Sequence, residues 1–351
     1  MSTNAEQLMT GPTSRVTGPT GAPHGTMRAI VQHAYGPPET LQSAVIDVPS
    51  IGADEVLIEV AAAGVDRGIW HLVTGKPYLI RLAFGLRAPS YPVPGFDVAG
   101  RVVAIGADVN RFQVGDEVFG IARGSFAQYA AAKERKLALR PDGLGDQEAA
   151  VATISGITAL QALTNVGRLR VGQSVLVIGA SGGVGSCAVQ LAVALGASVT
   201  GVASGSKGAL VRSLGADHVL DYATQDYLDG STRYDLILDI GGLNPLRRLR
   251  KALTPTGTLV IVGGEGGDRL TGGIGRQIRA RLLSLFVAQR LTFFVSAERQ
   301  DLIGRLADHL DRGDVTPSIR HRYPLEEAAT ALADLVSGHA CGKSVVVVKE
   351  A

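Results

Sequence analysis

Residues 175–197, VLVIGASGGVGSCAVQLAVALGA, set a short apolar run, a glycine-rich turn and a small-residue amphipathic stretch in direct succession. A buried strand that passes into a helix through residues without side chains is the repeating unit of a doubly wound parallel sheet. Gly182 and Gly185 occupy the later positions of the usual phosphate loop, and Ala180 stands at its first glycine position. The missing side chains at Gly182 and Gly183, flanked by Ser181 and Val184, let backbone N–H groups and the helix start approach a pyrophosphate. A purely structural turn is the competing reading. Cys187 has no base beside it in sequence and reads as a small core residue.

The downstream rhythm points to the same class. SVTGVA, HVLDY, YDLILDI and GTLVIVGG follow at intervals suited to α/β units, and LTFFV offers a further strand. The strand after the loop ends SVTGVASGSK, without the Asp or Glu that would bind both ribose hydroxyls of NAD. Ser204 and Ser206 are hydrogen-bond donors there, Lys207 is placed to neutralise a ribose 2′-phosphate, and Tyr222 follows the next strand toward the same place. The expected cofactor is therefore NADPH; a solvated Lys207 and a core Tyr222 are the plain alternatives. Gly263 and Gly264 would bring backbone close to the nicotinamide end, while Gly241 and Gly242 do the same on the neighbouring strand or serve only as tight turns.

Ahead of the loop the texture differs. MRAIVQHA, EVLIEVAAAGV, GRVVAIG, DEVFG and SFAQYAA read as short strands of a mostly β domain, and AAVATISGITALQALTNVG, 149–167, reads as a helical connector. The expected division is a disordered Gly-, Pro-, Ser- and Thr-rich tail over 1–26, a β-rich domain over 27–150, a dinucleotide domain over 151–295, and a segment over 296–351 whose GKSVVVVKE returns to the β-rich domain. A length of 351 residues with 46% hydrophobic content supplies cores for both domains. A formal charge of +2, with the basic residues scattered, shows no nucleic-acid stripe. RLLSLFVAQRLTFFV, 281–295, is broken by Arg290 and reads as core or dimer packing, so no membrane insertion is expected. Cys187 and Cys341 alone do not make a disulfide scaffold, and a cytoplasmic location is the default. Tyr129 and Lys133 share the spacing of the short-chain dehydrogenase pair, but they precede the loop instead of following it, and the match reads as coincidence.

Taken in order, GPPETL, AAAGVDRGIWH, VPGFDVAG, RFQVGDEVFG, RPDG, SGITALQAL, GASGGVG, RSLGADHVLDY and HACGKSVVV resemble the medium-chain dehydrogenase/reductase superfamily. The likeness is greatest to its zinc-independent quinone-oxidoreductase branch, with bacterial relatives of reticulon-4-interacting protein, and covers nearly everything after Met27. It implies a GroES-like, mostly β catalytic domain split around a Rossmann domain, with the cleft between them. Zinc-using members place a Cys ligand in the region matching Asp66 and a His ligand at the position of Phe96. A carboxylate binds zinc but a phenyl ring does not, and a catalytic zinc takes about three protein ligands, so no metal is expected.

Phe96 is then pocket wall, or core directly behind that wall. Related quinone reductases commonly carry Asn where Asp66 stands; Asp66 orients substrate, moves a proton, or turns the backbone. Trp70 and Tyr78 are candidate walls for a flat ring, with core packing the alternative for Trp70. The resemblance puts Thr158 on the cofactor side, against a helix-capping role. The implied reaction is hydride transfer from NADPH to a small-molecule quinone or to the β carbon of an enone. A reductase of 2-alkenals or other conjugated carbonyls is the neighbouring reading, and a nucleotide-dependent interaction or regulatory protein without turnover is the one from a different class. A homodimer pairing through LTFFV is the expected assembly.

Overall fold

The computed structural model describes residues 23, 25–241, 244–264, 267–336 and 342–349. Nearly all of the expected N-terminal tail, together with Gly242 and Cys341, lies outside them. Short strands with alternating burial dominate the first part of the chain. β1 (Thr26–Val31) pairs antiparallel with β2 (Gln42–Asp47). β3 (Glu55–Val65), β4 (Asp97–Ile105), β5 (Glu117–Ile121), β6 (Tyr129–Lys133) and β7 (Leu137–Leu139) belong to one larger sheet. β3 is its spine, meeting β6 through Glu55–Glu59 and β4 along most of its length. Lys133 on β6 is ion-paired with Asp54 at 2.9 Å, in keeping with a surface role for that lysine.

The second sheet has six parallel strands. β8 (Ser174–Ile178), β9 (Ser198–Ala203), β10 (His218–Asp221), β11 (Tyr234–Asp239), β12 (Leu253–Ile261) and β13 (Arg290–Phe293) lie in the order β10-β9-β8-β11-β12-β13. Val175, Leu176 and Val177 are fully buried, because helices cover both faces of a parallel sheet. The chain runs outward from β8 on one side and then crosses to β11 on the other, so the crevice of this sheet opens at the C-terminal ends of β8 and β11. β14 (Ile319–Pro324) and β15 (Lys343–Val347) rejoin the first sheet, β15 pairing antiparallel with Ala62–Val65 of β3.

The connector between the sheets is helical but interrupted. Asp146–Ala150 and Thr153–Leu160 are separate helices, and the second runs on through a π turn over Gln161–Val166. The break has a long-range cause: Asp97 Oδ1 accepts the Ile154 N–H at 2.9 Å, which starts the second helix afresh. Gly156 on this helix lets the helix Gln300–Asp311 approach closely, since a Cβ there would lie 2.5 Å from Leu306 Cδ1. Cys187 is buried in the helix Gly183–Ala194, and burial pushes its thiol up to about 11.

Two outcomes follow from this packing. Leu306→Ala should lower the unfolding free energy by roughly 2–5 kcal/mol in urea titrations, whereas an unchanged midpoint would show that the two helices do not depend on that contact. At pH 8, iodoacetamide should leave Cys187 unmodified until denaturant is added, as read by peptide mass mapping; rapid alkylation of the folded protein would contradict its burial.

Candidate dinucleotide site and substrate cleft

The glycine loop is built by close backbone contact. Gly179 follows β8 with φ +90°, a left-handed conformation that favours glycine. A Cβ on Gly185 would fall 2.0 Å from the Gly179 carbonyl oxygen, so the first helical turn sits directly on the strand end. Gly182 precedes the helix with only the Gly179 carbonyl within reach of its absent side chain, leaving an open approach to the free N–H groups of the helix start. Ser181 is buried and its carbonyl accepts the Gly342 N–H at 2.9 Å, while Val184 packs on the core. Ala180 fits where the usual motif has glycine because the facing residue on β9 is Gly201, whose own Cβ would come within 3.1 Å of the Ala180 methyl.

The ends of the neighbouring strands gather beside this loop. Ser204 Oγ and Ser206 Oγ, just past β9, are 3.3 Å apart, with half-buried Lys207 next in the chain. Tyr222 is 59% exposed and its N–H bonds the Ala203 carbonyl at 3.2 Å, so it stands beside the Ser204 turn instead of in the core. Asp221 belongs to the same group, since a Cβ on Gly205 would lie 2.6 Å from its Oδ2; the sequence stretch HVLDY held this carboxylate, but only the lateral pairing of β9 with β10 places it. On the other side of β8, Gly241 follows β11 with open space around its Cα, and Gly263 donates to the Asp239 carbonyl at 3.4 Å, with Gly264 after it. Buried Asp239 is held by Arg276 and by Asn244 Nδ2 at 3.1 Å, a brace at the end of β11 that sequence reasoning missed.

Of the residues expected on the substrate side, Phe96 alone borders a second feature. Gly95 has φ +104°, and a Cβ there would be 2.4 Å from Ser125 Oγ, so only glycine makes the turn that presents Phe96. Phe96 packs against the core clusters of both sheets and lines a cavity of about 360 Å³ with Tyr91, Pro94, Ile121 and Arg123. Glu298, in the segment after β13, also lines it and pairs with Lys136. Asp66 caps the helix Arg67–Thr74, its Oδ1 accepting the Ile69 N–H at 3.1 Å, while its buried Oδ2 has no hydrogen-bond partner. Trp70 lies on that helix, half-buried against the core and edge-on to His71. Tyr78 is 41% exposed, with the Arg81 guanidinium 4.7 Å from its ring centre. Neither Trp70, Tyr78 nor Asp66 lines the cavity that Phe96 borders. Thr158 donates to Ser296 Oγ at 3.0 Å, and Gln161 donates to the same oxygen, so the hydroxyl ties the connector helix to the segment after β13.

Behind Phe96 lies a buried charge cluster. Asp97 is fully buried, and Lys343 Nζ is 3.6 Å from its Oδ2. Burial pushes the Asp97 carboxyl up to about 7; Lys343 pulls it down, and neighbouring Asp66 pushes it up again. Lys343 and Ser155 were not singled out from sequence, yet both flank Gly183, where a Cβ would lie 2.7 Å from Lys343 Cδ and 2.9 Å from Ser155 Oγ. Among the described residues no group of three or more His, Cys, Asp or Glu side chains is arranged to hold a metal ion. None of the described helices is long and apolar enough to cross a membrane.

Comparison with known proteins agrees with this architecture. Residues 52–142 match the alcohol dehydrogenase GroES-like domain family, and residues 214–346 match the zinc-binding dehydrogenase family. A quinone oxidoreductase of Rattus norvegicus is 33% identical over 329 residues, covering 90% of this chain and 95% of that protein. A chloroplastic NADPH-dependent alkenal/one oxidoreductase of Arabidopsis thaliana is 32% identical over 335 residues, covering 91% of this chain and 79% of that protein. Among solved structures, the quinone oxidoreductase from Coxiella burnetii superposes with a TM-score of 0.80 at 27% identity, covering 93% of this chain and 100% of that one. With its split GroES-like domain, its six-stranded Rossmann sheet and relatives alike over nearly their whole length, the chain belongs to the quinone-oxidoreductase-like branch of the medium-chain dehydrogenase/reductase superfamily.

Proposed function

We propose that this protein is an NADPH-dependent reductase of quinones or conjugated enones that works without a metal ion. The observation that carries the reading is Phe96, which sets a carbon-only ring against the cavity at the position where zinc-using members of the superfamily hold an imidazole. A substrate meeting that wall has to be electrophilic through its own conjugation. The named relatives agree in kind, one a quinone oxidoreductase and one an alkenal/one oxidoreductase. Reduction of 2-alkenals is accordingly the second reading, since the same geometry serves both acceptors.

In this reading Gly182, Gly183 and the helix start receive the diphosphate, with Ser181, Val184 and Gly185 shaping the turn. Ser204, Ser206, Lys207 and Tyr222 take the ribose 2′-phosphate, and Gly241, Gly263, Gly264 and Thr158 border the nicotinamide. When bound, the reduced nicotinamide supplies a hydride. The part of the chain itself is to hold a flat acceptor against Phe96, to exclude water, and to offer hydrogen bonds to the oxygen that gains charge; Trp70 and Tyr78, which do not line the cavity, are left out of that wall. Asp66 does not line that cavity, so of the roles open to it the turning of the backbone, as cap of the helix Arg67–Thr74, is the one taken here. The reading keeps a catalytic unit of 27–150 with 296–351 and a cofactor unit of 151–295, with the acceptor between them. A cytoplasmic homodimer completes the reading: β13 ends its sheet, and Phe286 and Val295 beside it are 83% and 87% exposed, which suits edge pairing across a two-fold axis.

Spectrophotometric assays test the function directly. NADPH should be oxidised saturably by short quinones or enones, with secondary alcohols inert in the reverse direction; dinucleotide binding without turnover on any of these acceptors would favour a regulatory protein instead. Lys207→Glu should raise the KM for NADPH roughly tenfold or more while leaving NADH kinetics nearly unchanged; equal losses with both would remove the 2′-phosphate contact. Phe96→Ala should raise the KM for a small quinone several-fold with NADPH affinity retained, and an unchanged KM would take Phe96 off the substrate wall.

A further inference from the structure

Arg123 is an exposed residue of the cavity that Phe96 borders, and the backbone fixes the two side by side. The Ala122 N–H donates to the Phe96 carbonyl at 2.9 Å and the Gly124 N–H to the Gly95 carbonyl at 3.1 Å, so Arg123 sits between two bonds to the segment that presents the ring. On its other flank it bridges Ala131 of β6, its own N–H donating to that carbonyl at 3.4 Å. The position of its Cα relative to Phe96 is therefore set by the fold, before any ligand arrives.

The other charges on that lining have partners. Lys133 pairs with Asp54 at 2.9 Å, Lys136 pairs with Glu298, and the Glu55 carboxylate accepts the Gly52 N–H at 2.9 Å in its own turn. The Arg123 guanidinium stands over the Tyr91 ring, 4.7 Å from its centre, and among the described residues it has no carboxylate partner. Stacking engages the face of a guanidinium and leaves the N–H groups around its edge free, in the fork geometry that matches a carboxylate. Tyr91, which lines the same cavity, thus orients these donors without occupying them. A volume of about 360 Å³ leaves room for one ring and a short side chain.

We propose that Arg123 sets acceptor specificity by receiving a carboxylate, so that the preferred substrates are conjugated carbonyl compounds carrying an acidic side chain. The inference rests on the reductase function proposed above and names the substrate class of that same site. Phe96 selects for a flat apolar body and Arg123 for an anionic end; a neutral acceptor lacks the second interaction. The carboxylate takes no part in the reaction. The hydride goes to the conjugated system, a proton from solvent completes the reduced product, and the acid group leaves unchanged.

The test is steady-state kinetics of the full chain at saturating NADPH, with a para-benzoquinone bearing a propanoate side chain and with its methyl ester, for wild type, Arg123→Gln and Arg123→Lys. The two acceptors share a ring and a linker that insulates it, so they differ chiefly in charge. Wild type should favour the acid by roughly tenfold in kcat/KM, through a lower KM, and the preference should shrink as sodium chloride is raised. Arg123→Gln should bring the acid-to-ester ratio near unity, and Arg123→Lys should restore part of it, since the charge survives without the fork. Both rates come from one preparation, so the ratio is unaffected by partial unfolding of a variant. A preference for the acid that Arg123→Gln leaves in place would overturn the proposal. A wild type that oxidises NADPH with no quinone or enone would remove the proposed function and this inference together; one that reduces the ester as well as the acid would leave that function standing and remove this inference alone.

Discussion

The site depends on a contact between backbones: the Gly179 carbonyl oxygen occupies the space next to Gly185, 2.0 Å from where a Cβ would begin. That contact seats the helix Gly183–Ala194 on the end of β8 and fixes the direction of its free N–H groups. The parallel register then decides what stands around them. Ser204 and Tyr222 arrive together because β9 and β10 end side by side, and Gly241 and Gly263 do so because β11 and β12 end level on the other flank. A side chain at Gly185 would lift the helix from the strand and scatter these groups.

The same junction joins the two halves of the molecule. β15 starts beside the glycine loop, where the Gly342 N–H meets the Ser181 carbonyl, and enters the sheet of β3, while Asp97, next to Phe96 at the start of β4, faces Lys343 and accepts the Ile154 N–H in the first turn of the connector helix. The Lys343 charge beside the loop is felt by the carboxyl of Asp97, the backbone neighbour of Phe96.

Much of this was legible in the sequence where structure is local. The strands of the parallel sheet read as continuous apolar runs because both of their faces are covered, and the loop read as a loop because its glycines stand in a strand-to-helix context. The placement of Tyr222 near the Ser204 turn also came from strand order alone. What escaped depends on residues far apart in the chain. Ala180 looked like a flaw in the motif until Gly201 on the next strand was seen to make room for it. The connector read as one helix, and its break is imposed by Asp97 from another domain. Thr158 finds its partner at Ser296, and Lys343 was not singled out, since nothing in GKS discloses that its stem lies on a glycine loop earlier in the chain. Asp66 showed both of its faces: one oxygen caps a helix, and the other is buried with no partner.

In the proposed reaction Phe96 makes the chemical demand specific, since a ring that cannot polarise oxygen leaves activation to the conjugation of the acceptor. The most direct measurement is a single-turnover reaction of chelator-treated protein, verified metal-free by elemental analysis, with NADPH deuterated at the transferable C4 position and a simple enone. Deuterium on the β carbon of the product, at a rate equal to that of untreated protein, is the predicted result. Loss of the label to water, or turnover that returns only on addition of zinc, would contradict it.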